Sequence, residues 1–125
     1  MLLLAMAALA ADLPALPKMS PSVSSAYIKY QWCLDDAAKI AATKDYDAAE
    51  AYRRSQQACE VPRFDIQAAL DTEAAILAAE AEVEGKAAIS TEDSIKASEA
   101  VLRAIDAHVE PVFTALLRIY REDRK

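Results

Sequence analysis

Cys33, Cys59 and His108 are the side chains best suited to chemistry in this chain, and their setting narrows what that chemistry is. The cysteine spacing fits neither a redox Cys-x-x-Cys pair, a haem attachment site nor a zinc ribbon. An even pair in an exported chain reads as a disulfide, with two reduced, buried thiols the alternative. Closing a ring of about 27 residues stabilises by about 3.5 kcal/mol on the loop-entropy model. That is a large share of the net stability of a small domain.

His108 has little to work with. A general base needs a nucleophile or an orienting carboxylate fixed beside it. Asp106 and Glu110, two residues away on either side, project elsewhere from a helix. A di-iron bundle would need Glu-x-x-His pairs on facing helices, and no glutamate precedes His108 by three. The chain has no nucleophile elbow, zinc-protease helix, P-loop or dinucleotide fingerprint. The expectation is a protein that is not an enzyme, with no cofactor and no metal site, in which His108 is structural or pH-sensing.

Two further clusters are candidate contact surfaces. Tyr27, Tyr30 and Trp32 concentrate aromatic area in a short stretch, and exposed tryptophan is typical of binding hot spots. Ile28 and Trp32, four apart, share a third side of their helix. Another helix or the preceding proline segment is expected to cover them, with an aromatic anchor for a partner the alternative. Glu73, Glu80 and Glu84 fall near one side of a helix with Asp71 and Glu82 nearby. A solvated face is the expectation there, and a docking surface for a basic protein or a weak cation site is the alternative.

The elements that position these residues are helical throughout. Hydrophobic residues make up 54% of the 125, yet only 6% are aromatic and one is glycine, so alanine fills much of the apolar quota. Alanine is the best helix former, and a chain almost without glycine has few places for β-hairpin turns. The fold class is therefore all-α: an antiparallel bundle of three long helices, two of them kinked at proline, stapled by one disulfide. Cys33 and Cys59 lie almost symmetrically about the polar break Lys44-Asp45-Tyr46-Asp47. In a helical hairpin they face each other about three turns from the bend.

The first helix is expected from Ser22 to about Thr43. It carries one apolar stripe through Ala26, Tyr30, Cys33, Ala37 and Ile40, and a second through Tyr27, Leu34, Ala38 and Ala41. The second opens at Asp45 or Asp47 and carries Tyr52, Ser55 and Cys59 towards the first. Pro62 interrupts it, after which Ile66, Leu70, Ala74, Leu77 and Ala81 resume the pattern up to Gly85, where a left-handed C-terminal cap belongs. The third opens at Ser90, close to a capping box with Asp93, and runs through Ser98, Leu102, Ile105, Val109, Val112, Leu116 and Ile119 past Pro111 to a basic end. Pro62 and Pro111 are expected to face each other and share a bend. Beyond it, Arg63–Gly85 and Ser90–Glu110 would have only each other for company. Either a second copy covers this arm, giving a homodimer, or Pro62 folds the chain sharply into a compact four-helix bundle.

Met1 to Ala11 is an apolar run ending in small residues, although no basic residue precedes it. Residues 1–10 read as a signal-peptide-like segment, with a buried N-terminal helix the alternative. Residues 11–21 read as an extended leader carrying Pro14, Pro17 and Pro21, and residues 22–125 as a single helical domain. The apolar run is too short to span a bilayer, so no stable membrane insertion follows processing. The net charge of −6 and a pI near 4.8 argue against nucleic acid or an anionic membrane surface as the main partner and favour a basic one. The reading is an exported, periplasmic or extracellular protein-interaction module whose partner is an unknown protein. A small-ligand or metal carrier built on the bundle is the alternative; its almost wholly aliphatic stripes offer polar ligands few partners.

Overall fold

The structure, a computed structural model, describes residues 13–87 and 90–124. The signal-like segment 1–10, the start of the leader and the centre of the last turn near Ala88 lie outside the described residues. Among those described the chain is all-α, with four helices: α1 (Pro21–Ala41), α2 (Ala48–Ala58), α3 (Glu60–Val83) and α4 (Thr91–Asp123).

Local signals set the helix ends. Ser20, in extended conformation, accepts a hydrogen bond from the Val23 N–H and leaves Pro21 in the first turn, where a missing donor is harmless. Asp47 caps α2 by accepting from the Glu50 N–H at 2.8 Å, and Ser90 caps α4 by accepting from the Asp93 N–H at 3.1 Å. Gly85, at φ +70°, turns the chain out of α3. Its N–H donates to the Glu82 carbonyl, and that of Lys86 donates to the Ala81 carbonyl. Both bonds of a Schellman ending are thus made, and only glycine adopts this backbone without strain.

The two internal prolines behave differently from each other. No kinked helix runs through Pro62. The helix instead ends at Ala58, Cys59 takes non-helical angles of φ −105° and ψ 22°, and a new helix starts at Glu60. Breaking the chain three residues early puts Pro62 in the first turn of α3, where no intrahelical donor is required. Pro111, by contrast, sits inside the single 33-residue helix α4. The pairs Arg63 with Asp106 and Tyr52 with Phe113 set the register of α4 against α2 and α3. That register brings Pro111 level with the end of α2 rather than with Pro62, so the expected proline-to-proline bend does not form.

Despite the break, α3 carries on along α1 in the direction of α2. Cys33 meets Cys59 at a Cα–Cα distance of 5.8 Å in a formed disulfide. Three to four turns further on, Ser20 and Ser22 of the α1 N-terminus both donate to the Glu73 carboxylate. α1 therefore covers the first half of α3, and the two-helix arm starts later than the chain pattern suggests. With α4 alongside, the result is a three-layered base in which α2 and α3 act as one broken helix, and not a compact four-helix bundle.

The core of this base is contiguous. Tyr30, Leu34, Ala38 and Ala41 of α1 meet Ala51, Tyr52 and Ser55 of α2, Cys59, Ile66 of α3, and Leu102, Ile105, Val109, Phe113 and Leu117 of α4. The rings of Tyr52 and Phe113 pack tilted at 5.3 Å, a favourable arrangement for aromatic quadrupoles. Four stripe positions differ from the sequence pattern. Ile40 is exposed, and on α4 the buried side chains after Val109 are Phe113 and Leu117, while Val112, Leu116 and Ile119 are only half-buried. A strict four-three count drifts against the 3.6-residue turn, and α4 must face two neighbours at once. At the closed end the Arg121 guanidinium donates to the carbonyls of Lys44 and Tyr46, fastening the α1–α2 bend to the end of α4.

Candidate functional site

Where α1 stops, the core stops. Among the described residues, every buried one lies between Val23 and Ile66 or between Leu102 and Leu117, and none from Gln67 to Val101 is buried. The helices continue past this point as a pair, but among the described residues nothing fills the trough that α1 fills lower down. It becomes a groove of about 530 Å³ floored by Leu70, Ala74, Leu77, Ala81, Ala97 and Val101. Leu70 and Val101 also pack against the core cluster, so the floor is a continuation of the core. Leu77, at a core-type position on α3, is 58% exposed.

The rim of the groove is charged. Glu73, Glu80 and Glu84 of α3 stand along it, with Lys86 at its far end. Steps of seven and four residues bring these carboxylates to one side of α3, the side on which α1 lies lower down. The charge is not local to the rim alone. Between Asp71 and Val101 there are eight acidic and two basic residues, a net −6. Of the chain's 20 acidic and 14 basic residues this leaves twelve of each elsewhere, so the arm carries the whole net charge. This partition is present in the sequence and could have been counted there; a whole-chain charge hides it.

The aromatic cluster expected from the sequence does not form one surface. Tyr30 is wholly buried, Tyr27 is half-buried with its hydroxyl donating to Gln31, and Trp32 is 67% exposed. The reason is the 100° step of the helix: Tyr30 and Trp32, two residues apart, point to nearly opposite sides. Neither another helix nor the described part of the leader covers Trp32 or its neighbour Ile28, contrary to the expectation for them. Val61 and Phe64 of α3 are also exposed.

Several titratable groups of the base are tied into structure. His108 Nδ1 lies 2.7 Å from the Pro14 carbonyl and donates to it, which holds the leader against α4. Arg63 makes a two-pronged bond to Asp106, Nε to Oδ1 at 3.3 Å and the terminal nitrogen to Oδ2 at 2.7 Å, and this bond holds the guanidinium pKa above its ordinary value. Nearby, Tyr30 and Tyr52 bury their hydroxyls without a hydrogen-bond partner among the described residues. Gln56 and Arg63 lie near that of Tyr30. Burial pushes both phenols up, Tyr52 more strongly, so neither supplies a nucleophile or base near neutral pH. Tyr120 donates to the Asp35 carboxylate, and burial together with that bond pushes its pKa up to about 12.

Among the described residues no group of three or more histidine, cysteine or acidic side chains is arranged to hold a metal ion. No helix among them is long and apolar enough to cross a membrane. The geometry offers an apolar groove with a carboxylate rim, an exposed tryptophan on α1, and a base held by a disulfide. No protein-family model matches the chain, and no characterised protein or solved structure is significantly similar to it.

Proposed function

We propose that this chain is a small exported helical protein without enzymatic activity, a protein-interaction module of the envelope or periplasm whose arm presents the docking surface. The observation that carries this reading is the groove between α3 and α4, where core-type side chains such as Leu77 stand exposed. Contiguous apolar surface with a polar rim is the usual form of a contact site. The formed disulfide suits an oxidising compartment, as the exported reading requires. A carrier of a small apolar ligand is the second reading, since the groove volume falls in the usual range for such sites. Against it, the floor offers no converging polar groups and the exposed Leu77 leaves the site open.

Affinity capture from envelope extract with the oxidised chain, beside Leu77→Asp and a Trp32→Ala, Tyr27→Ala variant, tests the reading. The expected result is a defined partner that rebinds when purified and is lost from Leu77→Asp but kept by the aromatic variant. Loss from the aromatic variant alone would move the surface to α1. If all three chains capture the same set, the interaction reading fails.

A further inference from the structure

The groove is shaped for one kind of occupant. It begins where the N-terminus of α1 ends, and Glu73, which receives the hydroxyls of Ser20 and Ser22, is also its first rim residue. Leu70 and Val101 belong both to the core beneath α1 and to the groove floor. The vacant seat is thus the prolongation of a seat that a helix already fills, lined by the same small and aliphatic side chains. From Leu70 to Ala81 the floor spans twelve residues of α3, about 17 Å, or three turns of a docked helix. Its alanines keep the walls low enough for such a backbone to approach.

Charge decides which helix. The rim presents Glu73, Glu80 and Glu84, the arm as a whole carries −6, and the base is neutral. A second copy would set one −6 arm against another, and like charges across an interface oppose association. We propose that the groove receives a single amphipathic helix of a partner protein, with leucine-type anchors on the face that meets Leu77 and lysine or arginine flanking it to meet the glutamate rim. This deepens the interaction reading above and rests on it. The mode is helix-in-groove recognition, with anchors spaced three and four residues apart. The buried stripe supplies the affinity, and the rim supplies orientation and selection against acidic helices.

The test uses the full oxidised chain and two fluorescent peptides of about five helical turns. Both have leucines on one face; one has lysine and the other glutamate on the flanks. Fluorescence anisotropy should show the basic peptide bound at least about tenfold more tightly than the acidic one. Binding should weaken as salt is raised, vanish in Leu77→Asp and persist in Trp32→Ala. Glu80→Lys with Glu84→Lys should invert the preference between the peptides. Leu77 is exposed, so Leu77→Asp is expected to fold, and circular dichroism checks that it does. Basic-peptide binding that survives Leu77→Asp would be mere charge attraction and would overturn the proposal. So would a chain that sediments as a dimer and must dissociate before binding, or a peptide of residues 1–11 that outcompetes the basic one. Acidic-peptide binding that is equally tight and sensitive to Leu77→Asp would overturn the basic helix alone and leave the docking reading standing. Failure of both peptides overturns the proposal, and only failure of the extract capture as well removes the docking reading.

Discussion

Leu34 and Leu77 hold equivalent places in the apolar stripes of their helices, yet Leu34 is fully buried and Leu77 is 58% exposed. What separates them is the number of neighbours. In the base, α1, the α2–α3 pair and α4 enclose a shared interior, and a stripe on any one of them finds cover on two sides. In the arm only α3 and α4 remain among the described residues, and two helices meet along one line. The same residue types at the same spacing therefore make a core in one region and an open groove in the other. Charge follows the same division, with a balanced base and an arm holding the whole excess of carboxylates. The base reads as the scaffold and the arm as the part kept available.

Single substitutions should separate the two regions most sharply. Phe113→Ala removes a buried ring that packs on Tyr52 and should cost about 4 kcal/mol in denaturant unfolding. Leu77→Ala, a larger change at a nominally similar stripe position than most surface substitutions, should cost no more than about 0.5 kcal/mol. A similar cost at both sites would mean that the arm is packed in solution, and the comparison would break.

Removing the staple should come next in size. Cys33→Ser with Cys59→Ser opens a ring whose ends are 26 residues apart, and the expected loss is about 3.5 kcal/mol. The loss belongs to the base alone. Hydrogen exchange in the double variant should quicken in α1 and α2, while amides of α3 beyond Glu73, which stand outside the buried core, should change least. Uniform acceleration along the chain would show base and arm to be one cooperative unit.

The smallest effect concerns pH. Tyr120, donating to Asp35, has its pKa pushed from 10.0 up to about 12 by burial first and that bond second, and burial raises Tyr30 and Tyr52 in the same direction. A folded-state pKa above the unfolded value means that the folded protein keeps protons the unfolded chain has released. The associated stability is whole below pH 10 and is lost as pH rises through about 12. Denaturant unfolding followed across that window should fall with pH, and Tyr120→Phe should make the fall shallower. All three phenols lie in the base, so an alkaline titration that loosens the arm first would contradict the assignment.

Much of the scaffold was legible in the chain because it depends on neighbours close in sequence. Asp47, Ser90 and Gly85 end or begin helices through bonds that span three to five residues. The Cys33–Cys59 pair could be matched because both cysteines count back from one bend. Pro62 was legible as a break, but not its consequence. A proline only forbids a hydrogen bond and leaves open whether the helix kinks through it or restarts ahead of it. The split of the aromatic cluster was not legible for a similar reason: composition groups Tyr27, Tyr30 and Trp32, while the helical step sends Tyr30 into the core and Trp32 out.

By itself, the sequence determined the all-α class, the helix caps, the disulfide and the acidic character of residues 71–101, since each follows from local bonding, spacing or simple charge count. Only the tertiary structure decided that α1 ends level with Glu73, and so where the core gives way to the groove. That depends on how far one helix reaches along another, a relation between residues 51 and 53 positions apart that no local pattern encodes.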